Sequence, residues 1–165
     1  MTDDLLSLLL SLDGVEQSRR YHPEGDALYH SLQAFELATR ASQDRVLWAA
    51  ALFHAVGNAI DGPLHDEIGA DLLEDLLCPR VVWLVRHHLD LLKAPRHARR
   101  RFRGTPELRD LERLRRFDLG GRDPKAEVVS PEEAFDMLFA TEAGRALLCA
   151  DADDGSSREE SSLEP

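Results

Sequence analysis

The helical spacing of apolar residues constrains this chain more than any other feature of its sequence. After Asp26, the residues Leu28, Leu32 and Phe35 recur at positions i, i+4 and i+7, the spacing by which a helix buries one face. Similar runs follow along most of the chain, and short breaks that contain Pro or Gly separate them. The pattern favours helices almost throughout and gives no credible sheet. The sequence therefore predicts an all-α fold.

Helix-start signals mark several of the breaks. Asp26 and Ser42 precede apolar runs, Ser or Thr stands before Pro at Thr105-Pro106 and Ser130-Pro131, and Thr2 begins the first run. Such side chains accept hydrogen bonds from the free N–H groups of a first helical turn. Proline suits the first helical position because it has no N–H to leave unpaired. We expect a helix to begin at each of these positions.

Length and composition fit one folded domain. A chain of 165 residues can bury a substantial core, and 43% apolar with 31% charged residues is typical of globular proteins. We expect a single helical domain over residues 1–150. The stretch DADDGSSREESSLEP at 151–165 is acidic and serine-rich, and we expect it to be disordered because it has too few apolar residues to bury.

Charge and cysteine content narrow the class of protein. A net charge of −11 argues against nonspecific nucleic-acid binding by the whole surface. Cys78 and Cys149 lack metal-binding or redox spacing, which favours two unrelated thiols in a reducing compartment. The apolar stretch LLSLLLSL follows two aspartates and lacks the basic leader of a signal peptide. It is also too short to span a membrane. We expect a cytoplasmic protein with no membrane partner.

Seven histidines are the candidates for a functional site: His22, His30, His54, His65, His87, His88 and His97. A single histidine in a helical protein is most often structural. The positions of the seven histidines along the chain are therefore more informative than any one of them. His30, His54 and His65 fall in three successive predicted helices, and the His87-His88 pair falls in a fourth. Helices packed antiparallel can bring such positions together. Imidazoles on separate rigid helices are suited to hold a transition metal.

The motifs around these histidines resemble a known family. The stretch YHPEGDALYHSL is followed by WAAALFHAVGNAID, HDEIGADLL, VRHHLD and RLRRFDLGGRD. This ordered set resembles the HD-domain superfamily of metal-dependent phosphohydrolases, and most closely the HD domain of bacterial tRNA nucleotidyltransferases. The resemblance covers roughly residues 20–125. It implies a single helical HD domain that hydrolyses a phosphomonoester or phosphodiester.

The resemblance also implies metal ligands. His30 matches the first histidine of the family's H…HD…D signature, His54 matches the histidine of HD, and Asp118 matches the closing aspartate. His65 and one of His87 or His88 match the histidines that hold a second ion in two-metal members. The implied cofactor is a divalent transition-metal ion, with Mn, Fe, Co, Ni and Zn left open. The implied ligand is a nucleotide or another small phosphorylated molecule, with RNA as an alternative.

The sequence departs from the family at the centre of the motif. Ala55 stands where the family has the aspartate of HD, and Asn58 stands where it has a lysine. That aspartate binds the metal in the family and bridges both ions where two are present, whereas alanine has no donor atom. His30, His54 and Asp118 still suffice for a mononuclear site of two histidines and one carboxylate. We expect weaker metal binding, no intact two-metal site, and weakened or lost catalysis.

A basic segment, RHARRRFRG, contrasts with the acidity of the chain. Its residues Arg99, Arg100 and Arg103 are candidates to bind the phosphate of a ligand or RNA. Because the segment precedes Asp118 in the sequence, we expect it to lie near the mouth of the site. The alternative is a solvated helical face whose arginines pair with acidic residues such as Glu107 and Glu112 at helical spacing.

Two functional hypotheses follow. The first is a metal-dependent phosphohydrolase that works through one metal at His30, His54 and Asp118. The second is a non-catalytic HD-fold module, for binding or regulation, that keeps the pocket for a phosphorylated ligand or RNA without the reaction. The preserved triad favours the first hypothesis, and the replacements at Ala55 and Asn58 favour the second.

Overall fold

The computed structural model describes residues 1–149, which form helices joined by short turns. The α-helices are α1 (Thr2–Leu10), α2 (Ala27–Ala41), α3 (Arg45–Phe53), α4 (His65–Leu73), α5 (Pro79–His87), α6 (Asp90–Lys93), α7 (Pro95–Arg101), α8 (Pro106–Gly120), α9 (Pro131–Phe139) and α10 (Glu142–Arg145). A short 3-10 helix, Val56–Ala59, lies between α3 and α4. Within these residues, β-type pairing is limited to two isolated bridges, and the all-α prediction is confirmed. The predicted disordered tail at 151–165 lies outside the described residues.

Three predicted helix starts are confirmed by their capping hydrogen bonds. The Asp26 carboxylate accepts from the Tyr29 N–H at 2.8 Å, and the Thr105 hydroxyl accepts from the Leu108 N–H at 3.3 Å. The Ser130 hydroxyl accepts from the Glu133 N–H, and the Glu133 side chain accepts in return from the Ser130 N–H. These caps satisfy N–H groups that a first turn leaves free, so the start of each helix is fixed by its own local sequence.

Two other predicted caps are wrong. The first helix includes Thr2, and its N-terminal end has no side-chain cap. Ser42 ends α2, and Asp44 caps α3 by accepting from the Val46 N–H at 3.0 Å. The Ser42 hydroxyl instead accepts from the Asp44 N–H at 3.0 Å. Ser42 and Asp44 are both residue types that cap helices, so the local sequence does not show which of them begins α3. The conformation of the turn between α2 and α3 determines that it is Asp44.

Helix α3 forms the centre of the core. It packs against α2, α5 and α8, and its residues from Leu47 to Phe53 are all buried. This arrangement explains why α3 is apolar on all sides although it has only nine residues. The end of α3 therefore holds His54 in a rigid and buried position.

Among the described helices, none is both long and apolar enough to cross a membrane.

Gly57 sets the distance between the 3-10 helix and α4. A Cβ atom on residue 57 would lie 2.2 Å from the carbonyl oxygen of His65 and 2.7 Å from its Cα. Both contacts are with backbone atoms, which cannot rotate away as a flexible side chain can. Only glycine therefore allows the start of α4 to lie this close to the segment that follows His54.

We expect the substitution Gly57→Ala to lower the free energy of unfolding by at least about 2 kcal/mol, in the upper part of the range for overpacked sites. The physical reason is that α4 must move away from the 3-10 helix to admit the methyl group. Urea denaturation followed by circular dichroism measures the change. Gly62→Ala is the matched control, since its nearest neighbour would lie 3.8 Å away. Equal stability of the two variants would contradict the argument.

Candidate metal centre

Four helices bring histidines and one aspartate to a single place in the fold. His30 lies in α2, His54 follows the last residue of α3, and His65 begins α4. Asp118 lies near the end of α8. These four side chains line one cavity of about 750 Å³. His88, which follows α5, lies behind the cavity wall and is buried.

His30, His54 and Asp118 form the first of two groups of possible metal ligands. The Nε2 atoms of His30 and His54 are 3.2 Å apart. One oxygen of Asp118, Oδ1, lies 3.0 Å from the His30 Nε2 and 3.7 Å from the His54 Nε2. Ligand atoms bound to one transition metal at about 2.0–2.2 Å are separated by roughly 3 Å or slightly more. The spacing of these three buried donors suits a single metal ion.

His65 and His88 form the second group. Their Nε2 atoms are 3.1 Å apart, and the rings of His54 and His88 have centroids 5.2 Å apart. His87 does not belong to this group. Its Nδ1 atom lies 2.7 Å from the Asp90 carboxylate, and its ring packs on Trp83 with centroids 4.4 Å apart. Of the two adjacent histidines, the structure therefore brings His88 to the site and turns His87 away from it.

A backbone carbonyl fixes the protonation of each of the four histidine rings. The acceptors are Ala51 for His54 at 2.7 Å, Gly62 for His65 at 2.6 Å, Val85 for His88 at 2.6 Å and Gly121 for His30 at 2.8 Å. A carbonyl oxygen only accepts, so Nδ1 carries the proton and Nε2 of a neutral ring carries a lone pair. Each group thus brings two nitrogen lone pairs within about 3.2 Å of each other. Such pairs repel unless a proton or a metal cation lies between them.

The surrounding charges favour a cation in the first group. Burial alone lowers the pKa of the His30 ring, but hydrogen bonds to Asp118 and Glu24 outweigh burial and raise it to about 9. Burial raises the pKa of Asp118, but its two histidine neighbours hold it well below the usual range. Burial and the nearby histidines lower the pKa of His88 to about 3. Without a metal, His30 and Asp118 are an ion pair and His88 is neutral.

Ala55 and Asn58 leave the centre without the carboxylate and the cation that the motif resemblance would have supplied. Ala55 is buried, with 1% of its surface exposed, and its methyl group offers no donor atom. Asn58 lines the cavity, and its amide donates to the Ala55 carbonyl at 3.0 Å. The first group therefore has a single carboxylate, that of Asp118.

The arginines at the cavity differ from those expected from the basic segment. Arg99, Arg100 and Arg103 are exposed and do not line the cavity, because the helix α7 buries only Ala98. The expectation that they lie at the mouth is wrong. Arg115 and Arg122 line the cavity instead.

Arg115 and Arg122 lie on either side of Asp118 in the sequence. Arg115 precedes Asp118 by three residues within α8, which places both on one helical face, and it makes no ion pair with any residue in the range 1–149. Arg122 follows the end of α8. It donates to the Tyr21 carbonyl at 2.7 Å and lies 3.5 Å from the Asp118 carboxylate. Helical spacing from Asp118 is therefore a sequence signal for Arg115 alone.

The chain is similar to known proteins over most of its described length. A family model described as HD domain matches residues 27–129, which confirms the resemblance seen in the motifs. The chain is 32% identical over 133 residues to a multifunctional CCA protein of Halorhodospira halophila, covering 68% of this chain and 32% of that protein. A multifunctional CCA protein of Hahella chejuensis is 36% identical over 80 residues, covering 44% of this chain and 19% of the relative. The first match spans about a third of the relative's length.

We expect the stability of the metal-free protein to fall as the pH rises from 6.5 to about 9. The pKa of His30 rises from 6.5 to about 9 on folding, so the folded state keeps a proton that the unfolded state releases in this range. The stabilisation is complete below pH 6.5 and is lost as the pH passes the folded pKa. Urea denaturation in chelator at several pH values measures it.

The variant His30→Gln should lose this alkaline dependence. His97→Gln, which alters an exposed histidine of α7, should keep it. The same pH dependence in wild type and His30→Gln would show that another group is responsible.

Proposed function

This chain belongs to the HD domain family, and from that premise we propose that it binds one divalent transition-metal ion and slowly hydrolyses a small phosphate ester. The observation that supports this most is the meeting of His30, His54 and Asp118 at the wall of a cavity. Their donor atoms match the preferences of Mn, Fe, Co, Ni and Zn, which the ligand set does not distinguish. The missing carboxylate at Ala55 is the reason for proposing weak binding and slow catalysis.

The residues around the cavity divide the work. When bound, a divalent metal at His30, His54 and Asp118 polarises a phosphoryl group and lowers the pKa of a water molecule. Arg115 and Arg122 neutralise the charge of the phosphate from the α8 side. Apolar side chains that line the cavity, which are Tyr21, Leu89, Leu92 and Leu119, contact the organic part of the ligand.

A second ion is a weaker possibility at His65 and His88. Two neutral imidazoles with their Nε2 atoms 3.1 Å apart provide two ligands, but no carboxylate joins them to the first group, because residue 55 is alanine. In a buried site, a divalent ion needs negative charge as well as nitrogen donors. We therefore propose that the first group binds metal more tightly than the second.

The substrate class that we propose is a nucleotide or the phosphorylated end of an RNA. The motifs resemble the HD domain of tRNA nucleotidyltransferases, and relatives that carry this domain include multifunctional CCA proteins. The exposed arginines Arg99 and Arg100 of α7, and Arg103 after its end, remain candidates to contact RNA outside the cavity. We also propose a cytoplasmic location, since Cys78 and Cys149 are free thiols.

The second candidate is a binding module without catalysis. Ala55 favours it, because loss of the central carboxylate removes charge that would hold the metal and orient a reacting water. The cavity, the arginines and the paired histidines would then bind a phosphorylated ligand without cleaving it. The two candidates differ in metal content and in the effect of restoring the carboxylate.

We expect about one transition metal per chain in protein purified without chelator or a nickel column. His54→Ala should remove it, because the triad keeps only two donors. His65→Ala should retain most of it, and His97→Ala is the exposed control. Elemental analysis by mass spectrometry measures all four samples. A folded wild type without metal would overturn the first candidate.

Restoring the motif with Ala55→Asp separates the two candidates. We expect slow hydrolysis of a 2′,3′-cyclic nucleotide by the wild type and faster hydrolysis by the restored variant, which regains the second carboxylate. Activity that appears only in Ala55→Asp would establish the second candidate. The rates are measured by chromatography of the nucleotide product, with metal added in equal amounts to both proteins.

We expect Arg115→Ala to weaken the binding of adenosine 2′,3′-cyclic monophosphate about tenfold, which corresponds to about 1.4 kcal/mol. A hydrogen bond to a charged group contributes about this much. Arg100→Ala is the matched control, since Arg100 is exposed on α7 and does not line the cavity. Isothermal titration calorimetry measures both variants. Equal losses would contradict a specific role of Arg115, and a loss in Arg100→Ala alone would assign the phosphate to the basic segment.

A further inference from the structure

Glu24 is a buried carboxylate that the proposed reaction does not use. It lies in the turn between α1 and α2, directly before Gly25, whose positive φ of 79° closes the turn. Its side chain has none of its surface exposed. Carboxylates are rarely buried to this degree unless they are paired, so its partners indicate its role.

Both partners of Glu24 are histidines. Its Oε1 atom lies 2.8 Å from the Nδ1 of His22 and 2.8 Å from the Nδ1 of His30. The opposite nitrogen of His30, Nε2, faces His54 and Asp118. Glu24 therefore contacts His30 on the side away from the proposed metal. The Nδ1–H of His30 donates to the Gly121 carbonyl at 2.8 Å, and the Glu24 carboxylate lies beside the same nitrogen at an equal distance.

We infer that Glu24 is a positioning residue, which holds the ring of His30 in place together with the Gly121 carbonyl and makes its Nε2 a stronger metal donor. The inference rests on the proposed metal site. A carboxylate behind a ligating histidine is known to act in this way. For His54, His65 and His88, the recorded Nδ1 partner is a backbone carbonyl within residues 1–149. His30 has a charged acceptor in addition, so its donor strength depends most on one side chain.

The second oxygen of Glu24 also indicates that this carboxylate has a functional role. Oε2 is buried and has no hydrogen-bond partner among the residues that the structure describes. A buried carboxylate with one unsatisfied oxygen costs stability, and such groups are concentrated at functional sites. The other oxygen, Oε1, accepts from the Nδ1–H of His22 at 2.8 Å, so one oxygen of Glu24 is paired and the other is not.

A rival assignment is that His22, Glu24 and His30 themselves hold an ion. Hydrogen bonds already use the nitrogens that this ion would need. The Nδ1–H of His22 donates to Glu24 at 2.8 Å. The Gly121 carbonyl at 2.8 Å requires a proton on the Nδ1 of His30, and a metal on that nitrogen would break this bond.

The test compares Glu24→Gln, Glu24→Ala and the exposed control Glu132→Gln. Glu24→Gln keeps the shape and one acceptor oxygen but removes the charge. Each protein is titrated with Co²⁺ in competition with a chelator, and the visible spectrum of the bound cobalt is recorded. We expect Glu24→Gln to weaken Co²⁺ binding about tenfold and Glu24→Ala up to about a hundredfold. Both should shift the cobalt bands, and Glu132→Gln should match the wild type.

Unchanged affinity and spectra in both Glu24 variants would overturn the inference, and so would the loss of one equivalent of cobalt, since Glu24 would then be a ligand. If the wild type binds no Co²⁺, the proposed metal site fails. In that case, ¹⁵N NMR of the metal-free proteins at pH 10 decides the role of Glu24. We expect the ¹⁵N chemical shift of the His30 Nε2 to change in Glu24→Gln and Glu24→Ala and to stay the same in Glu132→Gln. The same Nε2 shift in all of these proteins would overturn the inference.

Discussion

The candidate site depends on the close approach of two imidazole nitrogens. The Nε2 atoms of His30 and His54 face each other at 3.2 Å. Backbone carbonyls on the opposite side of each ring hold it in this orientation, because they accept the Nδ1–H of His30 and of His54. The rings cannot turn away without breaking those hydrogen bonds inside a buried region, where an unpaired donor is costly. A cation at the point where the two nitrogens and Asp118 meet relieves the repulsion. A proton takes this role in the metal-free protein, and a metal ion competes with it.

Local hydrogen bonds at the ends of two helices orient the rings of His54 and His88. His54 and His88 each follow the last residue of a helix, where backbone carbonyls have lost their helical partners. Each ring donates its Nδ1–H to the carbonyl three residues earlier, and this leaves Nε2 directed toward the neighbouring helix. The buried helix α3 and the close contact at Gly57 then hold the ends of α3 and α4 together. Rigid packing thus fixes the donors before any ion is bound.

Ala55 changes the charge of the centre more than its shape. The four donor nitrogens and Asp118 converge without a carboxylate at residue 55, so the loss of that group has not dispersed the ligands. What the centre lacks is negative charge between the two histidine groups. A divalent ion in the first group has one carboxylate to offset its charge, and an ion in the second group has none among its two histidines. This difference in charge is why we propose one metal site rather than two.

The sequence by itself determined the helices and the residue types at the site. Caps at Asp26, Thr105 and Ser130 were predictable because capping involves atoms within three residues of each other. His30, His54 and Asp118 were named through motifs whose order along the chain is visible without coordinates. The absence of a donor at Ala55 was equally visible.

Only the tertiary structure decided which of several candidate residues face the site. Adjacent residues on a helix point about 100° apart, and packing on Trp83 turned His87 away while His88 entered the site. Arg99, Arg100 and Arg103 do not line the cavity, whereas Arg115 of α8 and Arg122, just after its end, do. The proton on His30 depends on Gly121, 91 residues away. Such contacts join segments that no local pattern relates, so they exist only once the helices have packed.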